Sequence, residues 1–184
     1  WNGFYVSIPK DGTQITEVQV YENGTPYEKN NGPEYGPPGT FLVQDQGDSI
    51  LIDWSIDAQD ESRTFALSYR VINAVKIHQD VAELYRKFIN EANQLAVGHV
   101  TVKMKLPPGA AEYQQGSDIR IWGHGPLDGK VEFSGADEVT WQIDGVPSET
   151  FIEGRVVMPV SLFPDAPQAV RTDKSALQTI LAEE

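Results

Sequence analysis

The sequence predicts a mainly β protein: an antiparallel β-sandwich of the immunoglobulin type, with one short inserted helix and the start of a C-terminal helix. Two observations support this prediction. About nine short segments alternate apolar and polar residues, which is the two-residue period of a half-buried strand. Gly, Pro, Asn and Asp residues separate these segments, and short strands divided by such turns are typical of a sandwich.

The composition is that of a folded, acidic protein. With 184 residues, 40% of them hydrophobic, the chain can build one domain with a sizeable core, and we assign residues 1–170 to that domain. The net charge of −13 opposes the binding of nucleic acid, so we expect no nucleic-acid partner. The absence of cysteine excludes disulfides and thiolate metal sites.

The N-terminal third of the chain predicts four strands and one long loop. Residues 4–8 and 17–20 alternate as strands, and the second ends at the hairpin dipeptide Asn23-Gly24. Residues 29–39 are rich in Asn, Gly and Pro, which indicates a surface loop. A brief strand at 41–44 precedes a well-patterned strand whose inward-facing residues are Ile50, Ile52, Trp54 and Ile56.

The central part of the chain predicts a strand, a helix and a second strand. The first strand covers residues 65–77 and its pattern slips near Ile72–Asn73, where we expect a bulge or a bend. Asp80 and Glu83 have the spacing of a capping box, which indicates the start of a helix of about three turns. Alternation resumes at residues 100–106. The apolar stripe of the helix comprises Val81, Leu84, Tyr85, Phe88 and Ala92.

Four more strands and a terminal helix follow. Residues 119–121, 131–133 and 139–143 alternate in three short strands, and the last strand covers 152–160. Pro159 marks the edge or the end of that strand, since proline cannot donate a hydrogen bond to a ladder. Asp173 is expected to cap a final helix, which carries Leu177, Ile180 and Leu181.

The polar residues give few signs of chemistry. The three histidines lack the spacing of zinc ligands, no glycine loop suits a phosphate, and we expect no metal and no cofactor. Asp57, Asp60 and Glu61 share one turn and offer oxygen ligands for calcium, but a solvated acidic turn is the stronger interpretation. No nucleophile motif is present, and we expect no enzyme. A glycosidase would need a cleft in which two carboxylates face an exposed aromatic ring.

Four tryptophans pose the question of sugar binding, because aromatic faces stack on pyranose rings: Trp1, Trp54, Trp122 and Trp141. Trp54 and Trp141 have the inward parity of their strands and are expected in the core. Trp122 has the opposite parity, and we predict that it forms a ligand-binding surface with Tyr113 and His124. The alternative interpretation is that Trp122 only shields the end of a strand from solvent.

A structural role is also predicted for two residues of the C-terminal half. Gly123-His124-Gly125 would shape a turn, so that His124 serves the fold. Arg155 would form an ion pair on the outward side of its strand.

Several motifs occur in a familiar order. They are Gly3-Phe4-Tyr5 through Ile8-Pro9, Glu83-Leu84-Tyr85, Trp122-Gly123-His124-Gly125-Pro126-Leu127, Trp141 and Glu153-Gly154-Arg155-Val156-Val157-Met158-Pro159. Together they resemble domain-of-unknown-function family 2207, a group of predicted bacterial membrane proteins, over nearly the whole chain. Two features depart from that family. Arg86-Lys87-Phe88 stands where it usually has tryptophan and asparagine, and one or two initial strands are missing.

The resemblance implies a secreted N-terminal ectodomain whose parent protein is anchored in the membrane by segments outside this chain. Residues 171–184 would begin a helical stalk toward that anchor. We predict a non-catalytic domain for interaction or sensing on the extracytoplasmic face of the bacterial membrane, with another envelope protein or wall glycan as partner. The alternative is a carbohydrate-binding module for cell-wall or extracellular glycan. The chain begins without methionine, and we expect it to be a piece of a longer protein.

Overall fold

The computed structural model describes residues 2–32 and 34–184, so Trp1, one of the tryptophans considered for sugar binding, lies outside the described residues. The described chain is mainly β, with several antiparallel sheets and one α-helix, which confirms the predicted class. It divides into two compact units, Trp1–Ile72 and Asn73–Glu184.

The first unit contains two sheets. Its strands are β1 (Gly3–Pro9), β2 (Gln14–Glu22), β3 (Thr25–Pro26), β4 (Glu28–Lys29), β5 (Thr40–Asp45), β6 (Ser49–Ser55) and β7 (Phe65–Ile72). One sheet has the order β1-β6-β5-β4 and the other the order β3-β2-β7. Asn23 and Gly24 both have positive φ, 49° and 80°, and they close the β2–β3 hairpin as the Asn-Gly dipeptide predicts.

The core of the first unit follows from the alternation along β6. Ile50, Ile52 and Trp54 are buried on one face of this strand. They pack with the other members of one cluster, which are Ile8, Val20, Tyr27, Phe41, Ile56 and Ala58. Each fully buried large side chain of this kind stabilises the fold by about 1.5–3 kcal/mol. The opposite face of β6 carries Asp53, which is half-buried.

The second unit also contains two sheets. Its elements are β8 (Val75–Ile77), β9 (Ala82–Ile89), β10 (Val97–Lys105), β11 (Arg120–His124), β12 (Lys130–Phe133), β13 (Glu138–Val146), β14 (Ile152–Met158) and α1 (Leu177–Glu183), with short 3-10 turns at Ala110–Glu112, Val160–Leu162 and Gln168–Val170. A four-stranded antiparallel sheet has the order β11-β14-β9-β8. A three-stranded antiparallel sheet has the order β10-β13-β12.

Both sheets of the second unit contribute to one hydrophobic cluster. Val156 and Met158 come from the four-stranded sheet, and Val139 and Trp141 come from the three-stranded sheet. All four are at most 4% exposed. The burial of Trp54 and Trp141 agrees with their inward parity.

The prediction of an inserted helix after Asp80 is wrong. Residues Ala82–Ile89 form strand β9, which lies in the interior of the four-stranded sheet. The proposed stripe divides between the two faces of that strand. Leu84 and Phe88 pack into the shared cluster, whereas Val81, just before the strand, packs with Val157 and Ile180. Apolar residues lie on both faces of β9, Leu84 and Phe88 on one and Tyr85 on the other, and together they imitate a helical period.

The prediction of a single strand over residues 65–77 is also wrong. This segment contains two strands, β7, which belongs to the first unit, and β8, which belongs to the second. Asn73 separates them with a φ of 63°, a left-handed conformation that interrupts a strand. The slip in the pattern at Ile72–Asn73 therefore marks the boundary between the two units.

The predicted terminal helix is present as α1, but Asp173 does not cap it. The residue before the helix, Ala176, makes no side-chain cap. Asp80 supplies the cap instead: its Oδ1 and Oδ2 accept the backbone N–H groups of Ala176 and Leu177 at 2.8 and 3.1 Å. Ile180 of α1 is 2% exposed. The helix thus packs on the sheet, and its role as the start of a stalk stays a prediction.

No described helix is long and apolar enough to cross a bilayer. The immunoglobulin-like arrangement and the assignment of residues 1–170 to one domain also stay predictions.

Candidate functional site

The second unit has a pocket of about 420 Å³, a size typical of ligand sites. It lies at the end of β11 and is bounded by the loop to β12 and by β12, β13 and β14. Its wall is mainly apolar, and its polar members are His124, Lys130, Gln142 and Glu153. The apolar side chains include Leu127, Val131, Trp141, Ile143, Phe151 and Ile152.

The floor of this pocket is Trp141, and two glycines make its position possible. Gly123 of β11 lies opposite Gly154 of β14 in the strand register. A Cβ atom built on Gly123 would lie 3.0 Å from Cδ1 of Trp141, and one on Gly154 would lie 2.9 Å from Cε2 of the same ring. Only a strand pair without side chains here lets the indole rest against the sheet.

Trp141 is also fixed by a hydrogen bond. Its Nε1–H donates to the backbone oxygen of Trp122 at 2.9 Å, and its ring lies 5.3 Å from that of Phe88. The indole therefore has a satisfied donor and a defined orientation, which preforms the pocket floor.

The opposite face of the four-stranded sheet carries a buried arginine, Arg155, which is 6% exposed. Its Nε and Nη2 both contact Oε1 of Glu83 at 2.7 Å. Its Nη1 contacts Oε2 of Glu183 at 2.7 Å and Oε1 of Glu184 at 3.0 Å. Burial by itself would lower the pKa of Arg155, but the hydrogen bonds to Glu183, Glu184 and Glu83 raise it above its ordinary value.

This arginine joins the end of α1 to the sheet. Glu83 lies in β9 and is 8% exposed, and Glu184 has a side chain that is only 6% exposed. The guanidinium group also lies over the ring of Tyr85, 4.8 Å from its centroid. The ion pair predicted for Arg155 is confirmed, but it is buried beneath the helix and involves three carboxylates.

His124 lies between the pocket and the helix. It lines the pocket, and its Nε2 lies 2.8 Å from Oε2 of Glu184. Its ring meets that of Tyr85 edge-on at 5.7 Å. The Tyr85 hydroxyl donates to Glu153 at 2.9 Å, and burial together with that bond raises the pKa of Tyr85 to about 12. His124 belongs to β11, so its predicted place in a turn is wrong.

The structure brings together two of the three predicted ligand-binding residues. Trp122 and His124 lie two positions apart in β11 and so share one face of it. Trp122 packs on the cluster of Val81, Val157 and Ile180, and so lies beside α1. Tyr113 packs against the other cluster of the unit, and its hydroxyl is hydrogen-bonded to Ser161 at 2.7 Å. Sugar binding by the three residues stays a prediction.

Apart from His124, the residues that line the pocket were not predicted as ligand-binding. Leu127 and Phe151 lie in loops, and nothing in a loop's periodicity indicates an inward direction. The signal that was available is the pair Gly123 and Gly154, because a glycine within a strand often marks the close approach of another group.

The acidic turn of the first unit is tied to a basic side chain. Arg63 donates to the backbone oxygen of Asp57 at 2.8 Å and to Glu61 at 2.7 Å. Among the described residues, no group of three or more acidic or histidine side chains is arranged to hold a metal ion.

A second pocket, of about 550 Å³, lies within the first unit. Two exposed aromatic residues, Tyr5 and Tyr35, and two carboxylates, Asp53 and Asp57, line it. Tyr5 and Asp53 are direct partners in the β1–β6 register and therefore share one face of the sheet. Burial raises the pKa of Asp53.

One family model matches the chain. It is described as the N-terminal domain of a predicted membrane protein, DUF2207, and it matches residues 1–158, from the first strand to the end of β14. No curated protein and no solved structure matches the chain.

Proposed function

We propose a function that proceeds from one premise: the chain belongs to the DUF2207 family of predicted membrane proteins, whose N-terminal domain it contains. The resemblance of its motifs to that family is thereby confirmed. In this proposal the chain is a non-catalytic binding domain on the extracytoplasmic face of a bacterial membrane, and its parent protein is anchored by other segments. The proposal keeps the sandwich arrangement, which the hydrophobic cluster shared by the two sheets of the second unit supports.

The observation that carries the proposal is the apolar pocket of the second unit. Leu127 is fully exposed at its rim and Phe151 is 39% exposed, so apolar surface remains available to a partner. Exposed apolar surface around a concave site is typical of a place where another molecule binds.

The occupant we propose is an extended protein segment with an apolar side chain followed by an acidic one. The pocket lies beside β11 and β12, each the last strand of its sheet, and a strand edge can pair with an added segment. Lys130, on β12, has no ion-pair partner among the described residues and suits the acidic side chain. An envelope protein is therefore the proposed partner.

The polar groups of the pocket favour binding over catalysis. Glu153 accepts a hydrogen bond from Tyr85 and lies 3.4 Å from Nζ of Lys87, and His124 is held by Glu184. These groups are engaged in holding the sheet and the helix, which leaves apolar contact as the main means of recognition.

The sensing part of the proposal rests on His124. Because this residue lines the pocket and also contacts α1, a ligand that moves it changes the bond to Glu184. Glu184 in turn contacts Arg155, so a change at His124 would also reach the ion pairs that hold the end of α1.

Site-specific crosslinking tests the proposed partner. A photoreactive residue at Leu127 is expected to crosslink one discrete protein in detergent-solubilised envelope membranes, and mass spectrometry is expected to locate the link in an extended apolar–acidic segment. Leu95 is the matched control, since it is an exposed leucine (66%) of the same unit outside the pocket. Equal crosslinking from both positions would contradict the proposal.

The glycan alternative is tested with the same domain. Saturable retention on insoluble wall glycan that is lost in Trp122→Ala, with no crosslink from Leu127, would support the carbohydrate-binding module. Retention that survives Trp122→Ala but is lost in Phe151→Asp would place glycan in the pocket and overturn the choice of a protein segment.

A further inference from the structure

The pocket of the first unit has a different chemistry from the pocket of the second. Tyr5 is 64% exposed and Tyr35 is 69% exposed, and both line the cavity. Tyr5 projects from β1 and Tyr35 from the loop between β4 and β5, so the two rings approach the cavity from separate segments. Gly3, next to them in the wall, contributes no side chain, and a Cβ there would lie 2.9 Å from the backbone oxygen of Trp54.

The carboxylate of Asp53 in this pocket lacks a counter-charge within the described part of the chain. Asp53 has no hydrogen bond and no ion pair among the described residues of the chain. Its cross-strand partners are Tyr5 on β1 and Leu42 on β5, and Leu42 is only 5% exposed. A partly buried carboxylate without a partner carries a desolvation cost that a cation would offset.

The whole first unit is negatively charged, as is the carboxylate of Asp53. Residues 1–72 contain 11 acidic and 4 basic side chains, and Asp57 adds a second carboxylate to the wall of the pocket. A cleft lined by one sign of charge raises the local concentration of ions of the opposite sign.

We infer that this pocket, formed by Tyr5, Tyr35, Asp53 and Asp57, binds an organic cation, that is, a guanidinium or ammonium group. The carboxylate of Asp53 pairs with the cation, and the tyrosine rings provide cation–π contact and exclude water. The cation belongs either to a basic side chain of a protein or to a free amine. The site is separate from the apolar pocket and does not depend on the function proposed for it.

A neutral sugar would use the same rings but would leave the carboxylate without a counter-charge. A cation uses both features, which is why we assign the site to a cation. A glycosidase would use the two carboxylates for acid–base chemistry, so hydrolysis is kept as an outcome of the test.

The test is an NMR titration of the full 184-residue chain with two matched probes. Acetyl-arginine amide carries the cation, and acetyl-citrulline amide has almost the same shape without the charge. The arginine probe is expected to shift the amides around Asp53 and Tyr35 saturably, whereas the citrulline probe is expected to bind at least about ten-fold more weakly, as for the loss of a charge-assisted hydrogen bond.

Variants identify the groups that act. Asp53→Asn is expected to lower the affinity for the arginine probe about ten-fold or more, and Tyr5→Ala is expected to lower it about two- to five-fold. The controls are Asp48→Asn, an exposed carboxylate of the same unit, and Tyr69→Ala, a 39% exposed tyrosine outside the pocket. Both controls are expected to bind the probe as the unaltered chain does.

Three results would overturn the inference. They are equal affinity for arginine and citrulline probes, equal loss in Asp53→Asn and Asp48→Asn, and release of reducing sugar from wall glycan that depends on Asp53. A further titration distinguishes a protein side chain from a free cation as the ligand. Tighter binding of an Ala-Ala-Arg-Ala-Ala peptide than of the amide indicates a protein side chain, and equal binding indicates a free cation.

Discussion

The carboxylate of Asp80 accepts the backbone N–H of Leu177, the first residue of a helix that begins 97 residues further along the chain. The same side chain accepts the N–H of Ala176. Asp80 was expected to cap a helix immediately after it, so the residue has the predicted role but serves another segment. The cap links the approach to β9 with the start of α1.

Removal of this cap is the first prediction. Asp80→Ala is expected to destabilise the fold by about 0.5–2 kcal/mol, because two helix donors lose their acceptor. Urea unfolding measures the loss, and hydrogen exchange of residues 176–183 should show the helix opening more readily. Asp173→Ala is the control, since Asp173 was the cap expected from the sequence. An equal loss in both variants would contradict the assignment.

The cap also predicts a pH dependence. Burial raises the pKa of Asp80, but the hydrogen bonds from Ala176 and Leu177 more than offset it, and the net pKa is lowered. A lowered pKa in the folded state gives stability that is present above the unfolded value, about 3.9, and is lost as the pH falls through the folded pKa. Acid titration of α1 by circular dichroism should show this loss, and Asp80→Ala should lack it.

The second prediction concerns Arg155. Arg155→Met is expected to destabilise the chain by about 3–5 kcal/mol, because the buried carboxylate of Glu83 loses its cationic partner and keeps only the contact of its Oε2 with Nε2 of His78 at 3.1 Å. Glu183→Ala is expected to cost less than about 1 kcal/mol, since that side chain is 54% exposed. Denaturant midpoints at neutral pH compare the two. A larger loss in Glu183→Ala than in Arg155→Met would refute this ranking.

The third prediction concerns the glycine pair beneath Trp141. Gly154→Ala is expected to destabilise by about 1–3 kcal/mol through overpacking, since the new Cβ would lie 2.6 Å from Cε2 of Phe88. The emission of Trp141 should change as its ring is displaced. Gly98→Ala is the matched strand control, because nothing lies within 4 Å of its Cβ position. Similar unfolding midpoints for the two variants would rule out the close packing.

The fourth prediction is a gain of stability. Burial raises the pKa of Asp53, so the ionised form is disfavoured in the folded state. Stability from this group is present below its unfolded pKa and is lost as the pH rises through the folded pKa. Asp53→Asn should therefore raise Tm at pH 7, and the gain should vanish near pH 3. A lower Tm at pH 7 would show that the carboxylate has a stabilising partner.

The sequence and the structure agree where one face of a strand decides the pattern. The alternation of Ile50, Ile52 and Trp54 predicted β6, and Asn23-Gly24 predicted the turn of the β2–β3 hairpin. Strand β9 was mistaken for a helix because it carries apolar residues on both faces, which hides its period of two. Tertiary pairing on both sides, which the local sequence does not contain, decides its conformation.

In the candidate site, too, some features could be predicted from the sequence and others could not. The outward parity of Trp122 and an ion pair of Arg155 could be predicted, since both follow from strand position. The partners of Arg155 could not, because Glu83, Glu183 and Glu184 lie 72, 28 and 29 residues away. Contacts at such separations depend on the order of strands in the sheet, which alternation alone does not give.

Coupling of the apolar pocket to α1 through His124 can be tested by one comparison of dye binding. The dissociation constant of anilinonaphthalene sulfonate, a fluorescent dye with apolar rings and an anionic sulfonate, would be measured with the unaltered chain, Glu184→Gln and Glu183→Gln, after Phe151→Asp has established that the dye occupies the pocket. Both glutamates contact Arg155, but among the described residues only Glu184 also contacts His124.

If His124 couples the pocket to α1, Glu184→Gln is expected to weaken dye binding at least about five-fold, because His124 loses its contact with the helix and its position in the pocket wall. Glu183→Gln should leave the dissociation constant unchanged. Equal dissociation constants for all three chains would contradict the coupling and leave the pocket and the helix as independent features.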